Sequence, residues 1–169
     1  MTPRDLEQLC TRHSAALYPF LINLTRNEAD TLDILQELFL SLARRPELLE
    51  PVRNEREFLF RLAHNLAIDL IRRRESRTRA HEAVGQEAVE MFEPVANPDE
   101  SAYRRELAAA LGELPTDQRA VVHLKLWEGL TFEAIAELLE IPLNTAASRY
   151  RYGIDKLRQR LRPLYQEIR

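Results

Sequence analysis

The sequence predicts an all-α protein: two small helical domains joined by a flexible acidic linker, the second domain carrying a helix-turn-helix. Three observations predict it. Apolar residues recur at three-to-four spacing in segment after segment, and no alternating strand pattern occurs anywhere. Helix starts are spelled out as capping residues followed by proline or acids, at Thr2-Pro3, Asn27-Glu28, Asn54-Glu55 and Asn97-Pro98. With 45% apolar residues, 30% charged residues and only four glycines, the composition suits helices.

The elements follow in order. Thr2 caps a helix with proline at its first position, running towards Leu24, and Pro19 should kink or split it. Asn27 to Asp30 starts a second helix reaching about Ala43, with Ile34, Leu35, Leu38, Phe39 and Leu42 as its buried stripe. Pro46 and Pro51 bracket a short irregular piece. Asn54 to Glu57, a capping-box variant, starts the third and longest helix, which runs to about Glu75. Phe58, Leu62, Leu66 and Ile71, with Leu59, Ala63 and Leu70, supply its apolar face. The first domain thus spans residues 1–79.

Residues 80–96 carry weak periodicity, a glycine, a proline and uniform negative charge, the pattern of a mobile linker. Asn97-Pro98 opens the second domain, residues 97–169. A packing helix falls between Leu114 and Trp127. Thr131 then caps a short helix through Glu140, in which Ala136 sits where two crossing helices need a small side chain. Pro142 breaks that helix, and Asn144 or Thr145 can cap the next, which continues until Pro163 stops it. Ala146, Tyr150, Ile154, Leu157 and Leu161 line its apolar face, and Arg149, Arg151, Lys156, Arg158, Arg160 and Arg162 crowd the flanks. A short helix, a tight turn and a longer arginine-studded helix are sized for the DNA major groove. A plain amphipathic hairpin with a solvated basic face is the competing account.

The net charge of −3 conceals a segregation that matters more than the sum. Arg72 to Arg79 holds five arginines and one glutamate, and Thr145 to the end holds seven basic residues against Asp155 and Glu167. Between them, His81 to Glu100 contains six acids and no Lys or Arg. No apolar run approaches eighteen residues and no charged-then-apolar leader is present, so a cytoplasmic chain without membrane insertion is expected. A lone Cys10 excludes an internal disulfide and fits a reducing compartment. Cys10 and His13 have ligand-like spacing, yet no second pair follows, so no metal or other cofactor is expected. The four histidines lie far apart without a nucleophile, metal or phosphate-loop pattern, which argues against an enzyme or a small-molecule substrate.

Three segments in order carry a resemblance. NEADTLDILQELFLSL (Asn27 to Leu42) resembles the acidic D-x-x-D-x-x-Q-E-x-F helix of the extracytoplasmic-function group of the sigma-70 family, the minimal bacterial sigma factors. FLFRLAHNLAIDLIRRR (Phe58 to Arg74) resembles that family's W-L-x-x-I-A-x-N-x-x-x-D-x-x-R-R-x helix. LPTDQRAVVHLKLWEGLTFEAIAELLEI with NTAASR resembles its C-terminal L-P-x-x-x-R…EIA…GTVKSR signature.

The resemblance implies core RNA polymerase and promoter DNA as partners and leaves an anti-sigma factor open as a third. On the second helix Asp30, Asp33 and Glu37 form one acidic stripe with Gln36 beside it, unsuited to DNA and suited to a basic docking partner. The family docks this helix on the polymerase, with Phe39 sharing core and interface duties. For the −10 element the resemblance implies Arg53, Asn54, Phe58, Asn65, Asp69, Arg72, Arg73 and Arg74, with a base captured out of the stack. Asp69 is expected to orient Arg72 or Arg73 rather than to touch a base. For the −35 element it implies Thr145, Ala147, Ser148, Arg149, Arg151 and Tyr152. The sequence departs from the family at Glu140 and Asn144, where glycines are usual, and at Ala146-Ala147 in place of Val-Lys. Phe58 also replaces a typical tryptophan and His64 a typical arginine. A helix-turn-helix regulator acting without polymerase is the alternative, and the acidic stripe weighs against it.

Overall fold

The computed structural model describes residues 1–78, 91–92 and 95–167, and the chain divides into two compact units, Met1–Glu87 and Ala88–Arg169. Among the described residues every regular element is helical.

The first unit is built from α1 (Pro3–Thr25), α2 (Glu28–Arg44), a short 3-10 turn (Pro46–Leu49) and α3 (Glu55–Thr78). Thr2 caps α1 in a full capping box: its hydroxyl accepts from the Asp5 amide while Asp5 takes the Thr2 N–H. Asn27 caps α2 by accepting from the Asp30 amide. Phe20, Leu21 and Ile22 of α1, Leu38 and Leu42 of α2, and Leu59 and Phe60 of α3 meet in a core from which water is excluded. Each such side chain contributes about 1.5–3 kcal/mol when fully buried. Phe20 and Phe60 pack edge to face at 5.2 Å. His13 Nε2 lies 2.6 Å from Glu55 Oε1, and Arg12 reaches the same oxygen at 3.3 Å, tying the middle of α1 to the start of α3.

Four local expectations needed correction here. Pro19 does not split α1, which runs through it. Its missing N–H cannot bond the carbonyl of Ala15, but Ala15 is exposed, while Leu17, Phe20 and Leu21 are fully buried around the proline. The third helix continues past Glu75 to Thr78. Leu59 and Ala63 of its expected face are fully buried, but Phe60 and Ala67 complete the inward face, and Phe58, Leu62, Leu66, Leu70 and Ile71 are only half-buried. Only the forward half of the Asn54 capping box forms, with Asn54 Oδ1 accepting from the Glu57 amide at 3.1 Å.

The second unit comprises α4 (Pro98–Gly112), α5 (Thr116–Leu126), α6 (Phe132–Leu139) and α7 (Leu143–Glu167). Asn97 caps α4, and Arg119, buried in the α4–α5 corner, donates to the Leu114 carbonyl at 3.2 Å. Most of the expected linker lies outside the described residues. Its described Met91 is buried, and Phe92 packs at 6.2 Å from Trp127 with Arg104 over its ring, so these two residues belong to the packing of this unit rather than to a free tether.

α7 departs from expectation at both ends. It starts at Leu143, with the Pro142 carbonyl accepting from Thr145 and Ala146, so neither Asn144 nor Thr145 is its cap. It also passes through Pro163 to Glu167, since the carbonyl freed at Gln159 lies on an exposed residue. Gly153 is buried against α5, where an added Cβ would stand 2.7 Å from Val122 Cγ2. That close approach sets the α5–α7 spacing.

Candidate polymerase and promoter interfaces

α2 presents two chemistries around its circumference. Asp33, Gln36 and Glu37 are exposed as the stripe requires, but Asp30 is not: it is only 6% exposed and holds Arg74 of α3. Arg74 Nη2 donates to Asp30 Oδ1 at 2.6 Å, and Nη1 lies 2.5 Å from Oδ2, the two-pronged geometry that suits guanidinium and carboxylate. Asp30 therefore leaves the expected docking stripe and joins α2 to α3. Phe39 is corrected likewise, since it is 9% exposed and belongs to the core beside Leu38 and Leu42. In their place the outward face offers Leu32 and Leu40, exposed by 51% and 40%. With Gln36 between them they follow an i, i+4, i+8 line, and that step was readable in the sequence as apolar residues standing off the buried stripe.

α3 sorts its candidates by direction. Phe58, Asn65 and Arg72 are seven residues apart, about two turns each, and fall on one line. Phe58 is half-buried, and Asn65 and Arg72 are exposed. Arg61, between Phe58 and Asn65 on that face, was passed over in the sequence. It is half-buried, and its Nε has no hydrogen-bond partner among the described residues. Arg53 and Asn54 stand exposed at the entry of the helix, with Asn54 spending its carbonyl oxygen on the cap. Arg74 points to the opposite side, Arg73 stands about 80° round from Asn65, and both line a groove of about 640 Å³ with Asp33, Glu37 and Asp69. Asp69 makes no ion pair with Arg72 or Arg73 among the described residues, so it does not orient either of them as expected.

In the second unit the turn between α6 and α7 has a defined cause. Glu140 adopts the left-handed region at φ 56° and ψ 47°, its N–H bonds the Glu137 carbonyl, and the Ile141 N–H bonds Ala136. This is the Schellman ending that normally recruits glycine. Phe132 of α6 meets Tyr150 of α7 edge to face at 5.4 Å, and Lys125 Nζ lies over the Phe132 ring at 4.6 Å. The helix-turn-helix is thus locked by an aromatic pair.

At the front of α7, Thr145, Ala147 and Ser148 are half-buried, while Arg151 and Tyr152 are exposed with the guanidinium 5.2 Å from the ring. Arg149 is partly covered, and its Nε lies 3.4 Å from Asp117 Oδ2 of α5. That leaves the two terminal nitrogens of its fork for a ligand. Arg160 is occupied elsewhere, bonded to Glu113 at 3.0 Å and near Glu106, and Glu113 raises its pKa further.

Cys10 is half-buried, and burial pushes its thiol up. Among the described residues no group of three or more His, Cys, Asp or Glu side chains converges as a metal site, and no helix is long and apolar enough to cross a membrane.

Two family profiles match the chain: sigma-70 region 2 over residues 9–77 and sigma-70 region 4 over residues 104–157. The RNA polymerase sigma factor CarQ of Myxococcus xanthus is 34% identical over 164 residues, 96% of this chain and 92% of that protein. The ECF RNA polymerase sigma factor SigL of Mycobacterium tuberculosis is 31% identical over 163 residues, 94% of this chain and 90% of its own. Among solved structures, the sigma factor RpoE of Bartonella quintana, crystallised with the anti-sigma factor NepR, matches with a TM-score of 0.80 at 23% identity. That match covers 94% of this chain and 98% of the other, and at such identity the likeness is one of fold.

Proposed function

The chain belongs to the extracytoplasmic-function group of the sigma-70 family, and from that premise we propose a division of labour between its two units. As a sigma factor it directs promoter-specific transcription initiation, with core RNA polymerase and promoter DNA as its partners. A regulator acting without polymerase would not account for the region 2 match over residues 9–77.

The first unit docks on core polymerase through Asp33, Gln36 and Glu37, with Leu32 and Leu40 supplying apolar contact beside them. It takes the −10 element on the line of Phe58, Asn65 and Arg72, with Arg53 and Asn54 at its upstream end. Asn65 has the donor and acceptor pair that suits a base edge, and Arg72 neutralises phosphate. Holding one base out of the stack costs a few kcal/mol, which these contacts offset. The second unit reads the −35 element through Thr145, Ser148, Arg149 and Arg151, with Ala147 and Tyr152 in contact.

The observation that carries this division is the separation of chemistries within the first unit. Acidic and apolar groups face outward from α2, whereas the Asn65 and Arg72 line leaves α3 on another side. An acidic face repels phosphate and a polar-basic one attracts it, so one small unit can hold both partners at once. The chain supplies no catalysis itself, works in the cytoplasm, and is a target for an anti-sigma factor, as its Bartonella quintana relative is. Run-off transcription with core polymerase on a genomic promoter library tests the reading. Asn65→Ala and Arg149→Ala each lower template-specific product; full activity in both would defeat the assignments, and failure to bind core polymerase would defeat the docking.

A further inference from the structure

We propose that the groove between α2 and α3 is a single docking surface for core RNA polymerase, to which Arg73, expected on the −10 face, and Arg77 belong. The inference rests on the reading that α2 docks on the polymerase.

The geometry of α3 divides its arginine run. Arg72 repeats Asn65 after about two turns, whereas Arg74 is rotated about 180° and Arg77 about 120° from Asn65. Arg73 and Arg77 line the same groove as Asp33 and Glu37, over a floor that includes Leu66 and Leu70. Both arginines are exposed. The Asp30–Arg74 pair spans the two helices within the groove, so their separation is set before any partner arrives.

Charge decides what fits. The groove holds four carboxylates, those of Asp30, Asp33, Glu37 and Asp69, against three guanidiniums. A phosphate backbone entering it would meet a net negative lining, and each misplaced like charge costs affinity. A protein helix with an apolar ridge, basic side chains towards Asp33 and Glu37, and acidic side chains towards Arg73 and Arg77 satisfies both walls. The apolar floor favours that partner too, because DNA has no apolar ridge to bury there. The arginine run is therefore split between two partners by a single residue step, with Arg72 on DNA and its neighbours on protein.

The test measures two quantities on the full chain: the Kd for core polymerase, and open-complex formation by holoenzyme assembled at saturating sigma. The Arg73→Ala/Arg77→Ala double variant weakens core binding about tenfold, or about 1.4 kcal/mol, and saturated holoenzyme opens the promoter normally. Arg72→Ala shows the opposite pattern. Wild-type core affinity in the double variant with a loss of promoter opening overturns the assignment of these arginines. Unchanged core affinity in Asp33→Ala/Glu37→Ala overturns the underlying docking reading, so the two failures are distinct. Helicity measured on every variant confirms that these exposed substitutions leave the fold intact.

Discussion

Replacing Glu140 with glycine stabilises the second unit, although it removes a side chain and adds no contact. Glu140 ends α6 at φ 56°, a conformation that crowds the Cβ of any L-residue against its own carbonyl. The cost for a non-glycine residue is about 1–2 kcal/mol. Glycine relieves it but recovers more freedom on unfolding, worth about 0.5–1 kcal/mol. Between the midpoints of these ranges the difference is a net gain of about 0.75 kcal/mol. Nothing offsets it, because the Glu140 side chain is exposed and makes no hydrogen bond or ion pair among the described residues. For a unit of this size the midpoint rises by about 2–8 °C. Trp127 is the only tryptophan and lies in this unit, so its fluorescence reports the melting of the second unit in the intact chain. Glu140→Ala serves as the control, since it removes the charge and keeps the Cβ, and its midpoint stays near that of the parent. A Glu140→Gly midpoint at or below the parent value would refute the reasoning, as would an equal rise in Glu140→Ala.

The remaining predictions concern contacts made across helices or at their ends. Gly153→Ala drives a methyl into Val122 and costs about 1–3 kcal/mol, seen as a lower Trp127-monitored midpoint; an unchanged midpoint would mean that α7 shifts freely on α5. Asp30→Ala costs about 1–3 kcal/mol in calorimetric unfolding of the first unit, and a cycle with Arg74→Ala recovers most of that as coupling energy, whereas additive losses would deny the pair. The Thr2 N–H and hydroxyl hold the Asp5 carboxyl below its ordinary value of 3.8, so its stabilisation of the α1 start is present above that pH and lost as the pH falls through the lower folded value. Amide protection in the first turn of α1 accordingly drops on acidification in the parent and is low and flat in Asp5→Asn. Arg149→Ala erodes discrimination at one −35 base pair by about 1–3 kcal/mol, and Asp117→Ala relaxes the same preference, measured by competition among single-base promoter variants; a uniform loss across all sequences would instead mark a phosphate contact.

What was legible beforehand was what lies within a few residues. Thr2, Asn27, Asn97 and Thr131 cap their helices as their side chains require, because a cap bonds an amide only two or three residues ahead. The departure at Glu140 was equally local, since a turn that normally takes glycine keeps its left-handed geometry when another residue occupies it. The expected stop at Pro163 and a split at Pro19 failed for a converse reason. The local penalty is real, but it leaves a carbonyl on an exposed face while buried neighbours hold the helix together.

The candidate sites divide along the same line. By period alone Asp30 and Asp33 are equivalent members of one acidic stripe, and Arg72, Arg73 and Arg74 are equivalent members of one basic run. The sequence by itself determined the all-α class, the helix starts capped by Thr2, Asn27, Asn97 and Thr131, the order of the three motifs and hence the family, because each depends on residues close together in the chain. Only the tertiary structure decided that Asp30 pairs with Arg74, that Phe39 is core, and that Gly153 is where α7 closes on α5. Each of those depends on which face of one helix meets another brought from tens of residues away, and a period describes a face without naming what covers it.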